Sequence, residues 1–238
     1  KDLQRSYLKA SVVDIEIPSD LAVHALIPLV QLKLNIKYHL WGLNIETEST
    51  MGKDWNYSKN DRSNLLGIHK KFGTLPLSTF PNLTSWKYFL YHYIKQYQSI
   101  NILSYAECNY DIIKRVLREQ FGWRDYGVKH GESIFTKFYQ SYILTNKFGF
   151  DKRRAHLSDR INSGQINREF ALEILAKPPY DSEEDQETEK NYFLSKLGFT
   201  ETEFIEIMNS PIKSHYDYPV NEEVGNLFER LLRKLFRV

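Results

Sequence analysis

Cysteine is almost missing from this chain. Its single occurrence in 238 residues, Cys108, excludes an internal disulfide and any zinc site built on several cysteines. A small apolar residue in a reducing compartment is the simplest reading of it. No HExxH is present, which removes the helical zinc-protease site. Walker A, GxGxxG and GxSxG sequences are absent too, which removes the corresponding phosphate, dinucleotide and hydrolase sites. No apolar run approaches the length of a membrane span and no signal peptide is recognisable. The expectation is a cytoplasmic protein without a membrane span. Strong charge is lacking as well: 32 Lys and Arg against 30 Asp and Glu leave +2, too little for a general nucleic-acid binder. There is no internal repeat and no flexible Gly/Ser linker.

What the chain does have is aromatic residues, 14% of the total against 42% for all apolar types. That composition suits a folded core and also lines sugar and nucleotide sites. The length suits one large domain or two small ones. Residues 1–11 already read as the back of a helix, so the chain is expected to begin inside a domain.

Val12 to Ile17 alternates like a strand, closed by Pro18. Ser19-Asp20 predicts the N-cap of a helix from Leu21 to about Leu34, which Pro28 should kink. Ile36 to Trp41 reads as a buried strand. This order indicates a parallel α/β unit. Residues 44–75 are loop-rich, with a helix over Asn64 to Lys71. Helices are predicted over Leu83–Tyr97 and Asp111–Gln120, with a short extended piece at Ile100–Leu103 between them. Further helices are predicted over Glu132–Leu144 and from about Asp151. Another follows Asn167. The acidic run Asp181–Glu189 reads as a solvated loop leading into a helix that ends at Gly198. Thr200 and Glu203 form a capping box, and Asn221 starts a last amphipathic helix carrying Val224, Leu227, Phe228, Leu231, Leu232 and Leu235. The fold class is α/β and predominantly helical: the end of a nucleotide-binding α/β domain over residues 1–75, then a helical substrate or partner domain over 76–238.

Positive charge gathers between Gly122 and Gly164. Eight Lys and Arg against four Asp and Glu give this stretch +4, so the rest of the chain is about −2. Lys129, His130 and Glu132 precede one predicted helix, whose N-terminus attracts anions. Lys137 lies within that helix. Lys152 and His156 sit four apart on the next, and Arg153 and Arg154 can each fork onto phosphate or carboxylate oxygens. Residues alone leave two readings open, a solvated basic surface or an anion pocket. A second candidate is Gly42-Leu43-Asn44 at the end of the predicted strand, where parallel sheets bind ligands. Glu48, four residues after Asn44, could contact a magnesium ion.

Several segments together resemble the N-acetyl sugar amidotransferases of bacterial surface-polysaccharide and flagellar-sugar pathways. They are LKASVVDIEIPSD (8–20), WGLNIETEST (41–50), IHKKFGT (68–74), FGWRDYGVKHGESIFTKFYQSYIL (121–144), KFGFDKRRAHLS (147–158) and SGQINREFALEILAKPPY (163–180). The resemblance implies membership of the PP-loop ATP pyrophosphatases, with a partial HUP-type nucleotide domain, although no SGG-x-DS loop occurs in the chain. It implies ATP and Mg2+ as cofactors and a nucleotide-activated N-acetyl sugar as substrate. ATP would adenylate the acetamido oxygen, and ammonia would then displace AMP to leave an acetamidino group. The ammonia would come from glutaminase and channelling subunits similar to those of imidazole-glycerol-phosphate synthase. Gly42, Asn44, Thr47 and Glu48 match the family's second nucleotide segment, with Trp41 and Glu46 in place of its small residues. Lys129, His130 and Glu132 match its Gly-Gly-Lys-His-x-Glu block, with Val128 for the second glycine, and are the catalytic candidates. Lys137, Lys152, Arg153 and His156 match unchanged and are the substrate or anion candidates. The alternative is a non-catalytic module that docks the ammonia-delivering partners.

Overall fold

A computed structural model describes residues 1–43, 49–81, 83–106, 109–126 and 129–220. Candidates Asn44, Thr47 and Glu48, as well as Cys108, Val128 and the last predicted helix, lie outside the described residues. The architecture is α/β and predominantly helical, as read from the sequence.

Helix α1 spans Asp2–Ala10 and ends at Ser11 in the left-handed conformation. The next residues form a turn and not the predicted strand. Asp14 Oδ1 accepts from the Glu16 N–H at 3.3 Å, folding the chain back on itself. Val12, Ile15 and Ile17 are buried by that turn. Their alternation therefore reflects core contact, not a pleat. Helix α2 then runs Ile17–Leu34, starting four residues before the predicted position. Pro18 lies in its first turn, where a missing N–H costs nothing, so it opens the helix instead of closing a strand.

Strand β1 (Tyr38–Trp41) pairs in parallel with β2 (Gln98–Asn101), in the register Tyr38↔Gln98 to Trp41↔Asn101. The predicted strand at Ile36–Trp41 is present but not buried: Leu40 is 66% exposed and Tyr38 49%. Between them come α3 (Arg62–Phe72) and α4 (Ser85–Phe89), the latter continued by a π turn over Leu90–Ile94. Helix α5 spans Tyr110–Phe121 and stops at Gly122 with φ 63°, a conformation only glycine adopts freely.

Helix α6 (Ile134–Phe138) passes through a π turn (Tyr139–Ile143) into α7 (Leu144–Phe148). Helices α8 (Arg153–Asn162), α9 (Arg168–Ala176), α10 (Glu183–Leu197) and α11 (Glu201–Asn209) follow. The acidic run is not a loop. Ser182 caps α10 by accepting from Asp185 N, and Glu183, Glu184 and Asp185 occupy its first turn, where carboxylates meet the positive helix end.

The core is aromatic. Phe138 lies 4.8 Å from Phe193 and 6.0 Å from Phe204 by ring centroids, and Phe135 stacks on Phe193 at 5.3 Å. Its buried members come from α1, the 12–17 turn, α3, α6 to α7, α10 and α11, on both sides of residue 75. Below them Asp61 accepts from the Tyr57 hydroxyl at 2.7 Å and caps α3 through Asn64 N at 3.0 Å. His215 stacks on Tyr57 at 4.2 Å and meets Asn64 Oδ1 at 2.8 Å.

One reading of the apolar pattern needs correction. Helix Ile17–Leu34 is long and apolar enough to cross a membrane by length and composition, and a third of it is buried inside the fold. The core helix of a globular domain meets the same test.

Candidate functional site: a cationic cleft around His156

The π turn and the start of α8 face each other across a cleft. Gly149, with φ 73°, ends α7 and reverses the chain. Asp151 then accepts from Arg153 N at 3.0 Å and sets the entry to α8. Lys152 stands immediately before that helix and His156 one turn into it, so both look the same way. Opposite them, the π turn presents Gln140 and Ser141, and α6 presents Lys137. A π turn inserts one residue into the helical repeat and is frequent at functional sites. Here it lets Phe138, Tyr139, Ile143 and Leu144 all stay buried while Gln140 and Ser141 reach the cleft. Lys129 closes one end.

The space has a volume of ≈ 40 Å³. That is room for roughly three waters, or one phosphoryl or carboxylate group, and not for a whole nucleotide.

The cations are not equivalent. The Arg153 guanidinium is forked onto Asp151, at 3.0 and 2.8 Å, and donates to the Lys177 carbonyl at 2.9 Å. Lys137 is ion-paired with Glu189, which also accepts from the Tyr180 hydroxyl at 2.8 Å. The Lys152 ammonium makes no hydrogen bond or ion pair with any described residue. Of the further basic residues, Lys147 donates to the carbonyls of Ile207, at 2.5 Å, and Ser210, at 2.8 Å. It caps α11 and is no part of the cleft.

Burial, followed by the charges of Lys129 and Lys152 and by His130, pushes the His156 pKa down to about 3, against an upward pull from Asp159. His156 is thus neutral at pH 7 in a cationic surround. The His130 ring lies 5.8 Å away at 65°. His130 itself holds φ 64°, one of the few left-handed non-glycine residues described, a conformation that His tolerates better than bulkier residues and that tends to cluster at functional sites. Glu132 is hydrogen-bonded to Tyr126, outside the cleft lining.

Two residues that sequence reasoning missed organise this site. Asp159, 1% exposed, accepts from Ser49 Oγ and Thr50 N, both at 2.8 Å. The end of the 41–50 segment is thereby fastened to the helix that carries His156. Glu16 accepts from Thr136 Oγ1 at 2.8 Å and Gln140 Nε2 at 3.3 Å, fixing the π-turn wall. Asp159 stands two residues from Leu157 and from Ile161, off the helical face that those two share, so helical periodicity gave no signal for its burial. At Gly42 an added Cβ would meet nothing within 4 Å, so that glycine is open to approach from outside.

The structure therefore brings Lys129, Lys137, Lys152, Arg153 and His156 to one cleft, sets His130 beside it, and leaves Glu132 turned to Tyr126. Among the described residues no group of three His, Cys, Asp or Glu could hold a metal ion.

No curated protein matches this chain, and no solved structure does. Residues 132–232, which include α6 to α11 and most of the cleft, match the family model described as "LPS biosynthesis protein WbpG-like, C-terminal domain", and this ties that part of the chain to lipopolysaccharide biosynthesis.

Proposed function

We propose that this chain carries the substrate-facing part of an ATP-dependent amidotransferase of lipopolysaccharide (O-antigen) biosynthesis. Its substrate is a nucleotide-activated N-acetyl sugar, whose acetamido group becomes an acetamidino group. The observation that supports this most is the convergence at His156. A phosphoryl-sized cationic cleft, inside a region matching lipopolysaccharide biosynthesis proteins, is tied through Asp159 to the segment that resembles a nucleotide loop.

ATP, when bound, supplies the adenylyl group that turns a poor leaving group, an amide oxygen, into a good one. The cleft fits one of its phosphoryl groups, or one from the diphosphate of the sugar nucleotide. Lys152 and Lys129 hold that group by charge-assisted hydrogen bonds. Neutral His156 donates one further N–H without adding charge. His130, next to it, is the proton-transfer candidate for the acetamido group, and Glu132 acts through Tyr126. Arg153 and Lys137 shape the walls through their own partners. Mg2+, when bound with ATP, would be held mainly by the phosphates and by one or two carboxylates, for which Glu48 is the candidate that the resemblance supplies. Glutaminase and ammonia-channelling subunits supply the ammonia in this reading.

The alternative, a docking module without chemistry, is favoured by one observation: Lys137 and Arg153 already have carboxylate partners. The deciding experiment is pyrophosphate release by the intact protein with ATP, magnesium, ammonia and a panel of nucleotide-activated N-acetyl sugars. Release that disappears in Lys152→Ala is expected. No release with any sugar contradicts the enzyme reading and favours the module.

A further inference from the structure

The amide of Gln140 has a fixed sense. Its Nε2 donates to Glu16 Oε2 at 3.3 Å, and Glu16 Oε1 accepts from Thr136 Oγ1 at 2.8 Å. Turned the other way, the amide would set its oxygen against a carboxylate oxygen, acceptor against acceptor. Glu16 is anchored in turn. It stands at the N-cap of α2, where its backbone carbonyl takes the N–H groups of Ser19 at 3.0 Å and Asp20 at 3.1 Å. Thr136 lies one turn before Gln140, in the helix that Ser133 caps by accepting from Thr136 N at 3.3 Å. Gln140 is 9% exposed and lines the cleft. Among the described residues none donates to its Oε1.

A free, fixed acceptor is out of place among cations. Lys129, Lys137, Lys152 and Arg153 offer only N–H groups, and Asp151 spends its oxygens on Arg153. An anion alone satisfies the cations and leaves Oε1 facing its oxygens. A ligand that carries a neutral donor beside its anionic group satisfies both, and leaves no enclosed acceptor unpaired. A phosphoryl group on the anomeric oxygen of a sugar meets that description, because the neighbouring ring carbon carries a hydroxyl or an acetamido N–H. The terminal phosphoryl groups of ATP have no such neighbour.

We propose that Gln140 Oε1 is the specificity-determining acceptor of the cleft. It takes the hydrogen of the donor on the ring carbon next to the phosphorylated one, and so selects the phosphoryl group of the sugar over one of ATP. Glu16 is the positioning residue that holds the amide in this sense. The proposal rests on the phosphoryl-binding reading of the cleft and narrows it to one of two sources.

The test uses the full chain with labelled histidine and follows the His156 ring resonances. Glucose 1-phosphate should bind at least about fivefold more tightly than 2-deoxyglucose 1-phosphate, which lacks only the neighbouring hydroxyl and so leaves the acceptor unpaired. In Gln140→Met the two should bind alike. Glu16→Gln, which lets the amide turn either way, should narrow the difference as well and leaves Gln140 in place should the first variant fail to fold. Equal binding of the two probes by the native chain, or a difference that survives in the variants, overturns the proposal. The anion cleft still stands in that case, since both probes move His156. If neither probe moves His156, the anion cleft falls and the proposal falls with it.

Discussion

Asp159 holds the backbone N–H of Thr50 at 2.8 Å across 109 positions of chain. The same oxygen takes the Ser49 hydroxyl, while Oδ2 is buried with no hydrogen-bond partner. Burying a carboxylate this fully is costly, and these two hydrogen bonds offset part of that cost. They fix the end of the 41–50 segment against the helix of the cationic cleft. Asp159→Ala should therefore lower stability by about 1–3 kcal/mol in urea unfolding and release the Thr50 amide to rapid exchange. Asp159→Asn, which keeps one acceptor, should cost less.

Lys137 and Glu189 make the second test. The carboxylate of Glu189, itself outside the lining, neutralises a lysine that lines the cleft. An incoming anion competes with it for that lysine. In Glu189→Gln, inorganic phosphate should bind roughly 3- to 10-fold more tightly by calorimetry, as one competing charge is removed.

The pH dependence of stability follows from His215. Burial, only partly offset by Asp14, lowers its pKa to about 4 from 6.5. Between those values the unfolded chain binds the proton and the folded one does not, so stability rises with pH. The contribution is complete above about pH 6.5 and is lost as pH falls towards 4, up to about 3 kcal/mol. His156 adds in the same direction. Urea titrations from pH 7.5 to 4.5 should show this slope, and His215→Gln should flatten it whatever its stability at pH 7.5.

Gly67 lies against Pro219, with 2.5 Å between an added Cβ and the ring Cδ. Gly67→Ala must push the ring and its backbone away. Thermal unfolding should show a loss of about 1–3 kcal/mol, with Gly42→Ala, which meets open space, as the near-neutral control.

Much of this was legible because it is local. The Thr200–Glu203 capping box, the Asn167 cap and the left-handed Gly122 depend on neighbours in sequence. The helix read over Glu132–Leu144 does form there, and Phe138, Tyr139 and Ile143 are its buried residues. The 12–16 turn was not legible, because Asp14 chooses its conformation through Tyr57 N at 3.2 Å and Lys59, more than forty residues away. Lys152, which stands just before α8, and His156 both line the cleft, and no spacing could reveal that Arg153 would spend its fork on Asp151 and the Lys177 carbonyl. The parallel partner of β1 lies some sixty residues on, and short strands carry too little pattern to announce such pairing.

The cleft's capacity for a phosphoryl group is most directly measured at His156. In protein with labelled histidine, titration with inorganic phosphate at pH 7 should shift the His156 ring resonances saturably, and a bound dianion should raise its pKa. Lys152→Ala should weaken that binding at least about tenfold, the loss of one charge-assisted hydrogen bond. Phosphate that leaves the His156 resonances in place, or that binds Lys152→Ala as well as the native chain, would contradict the account.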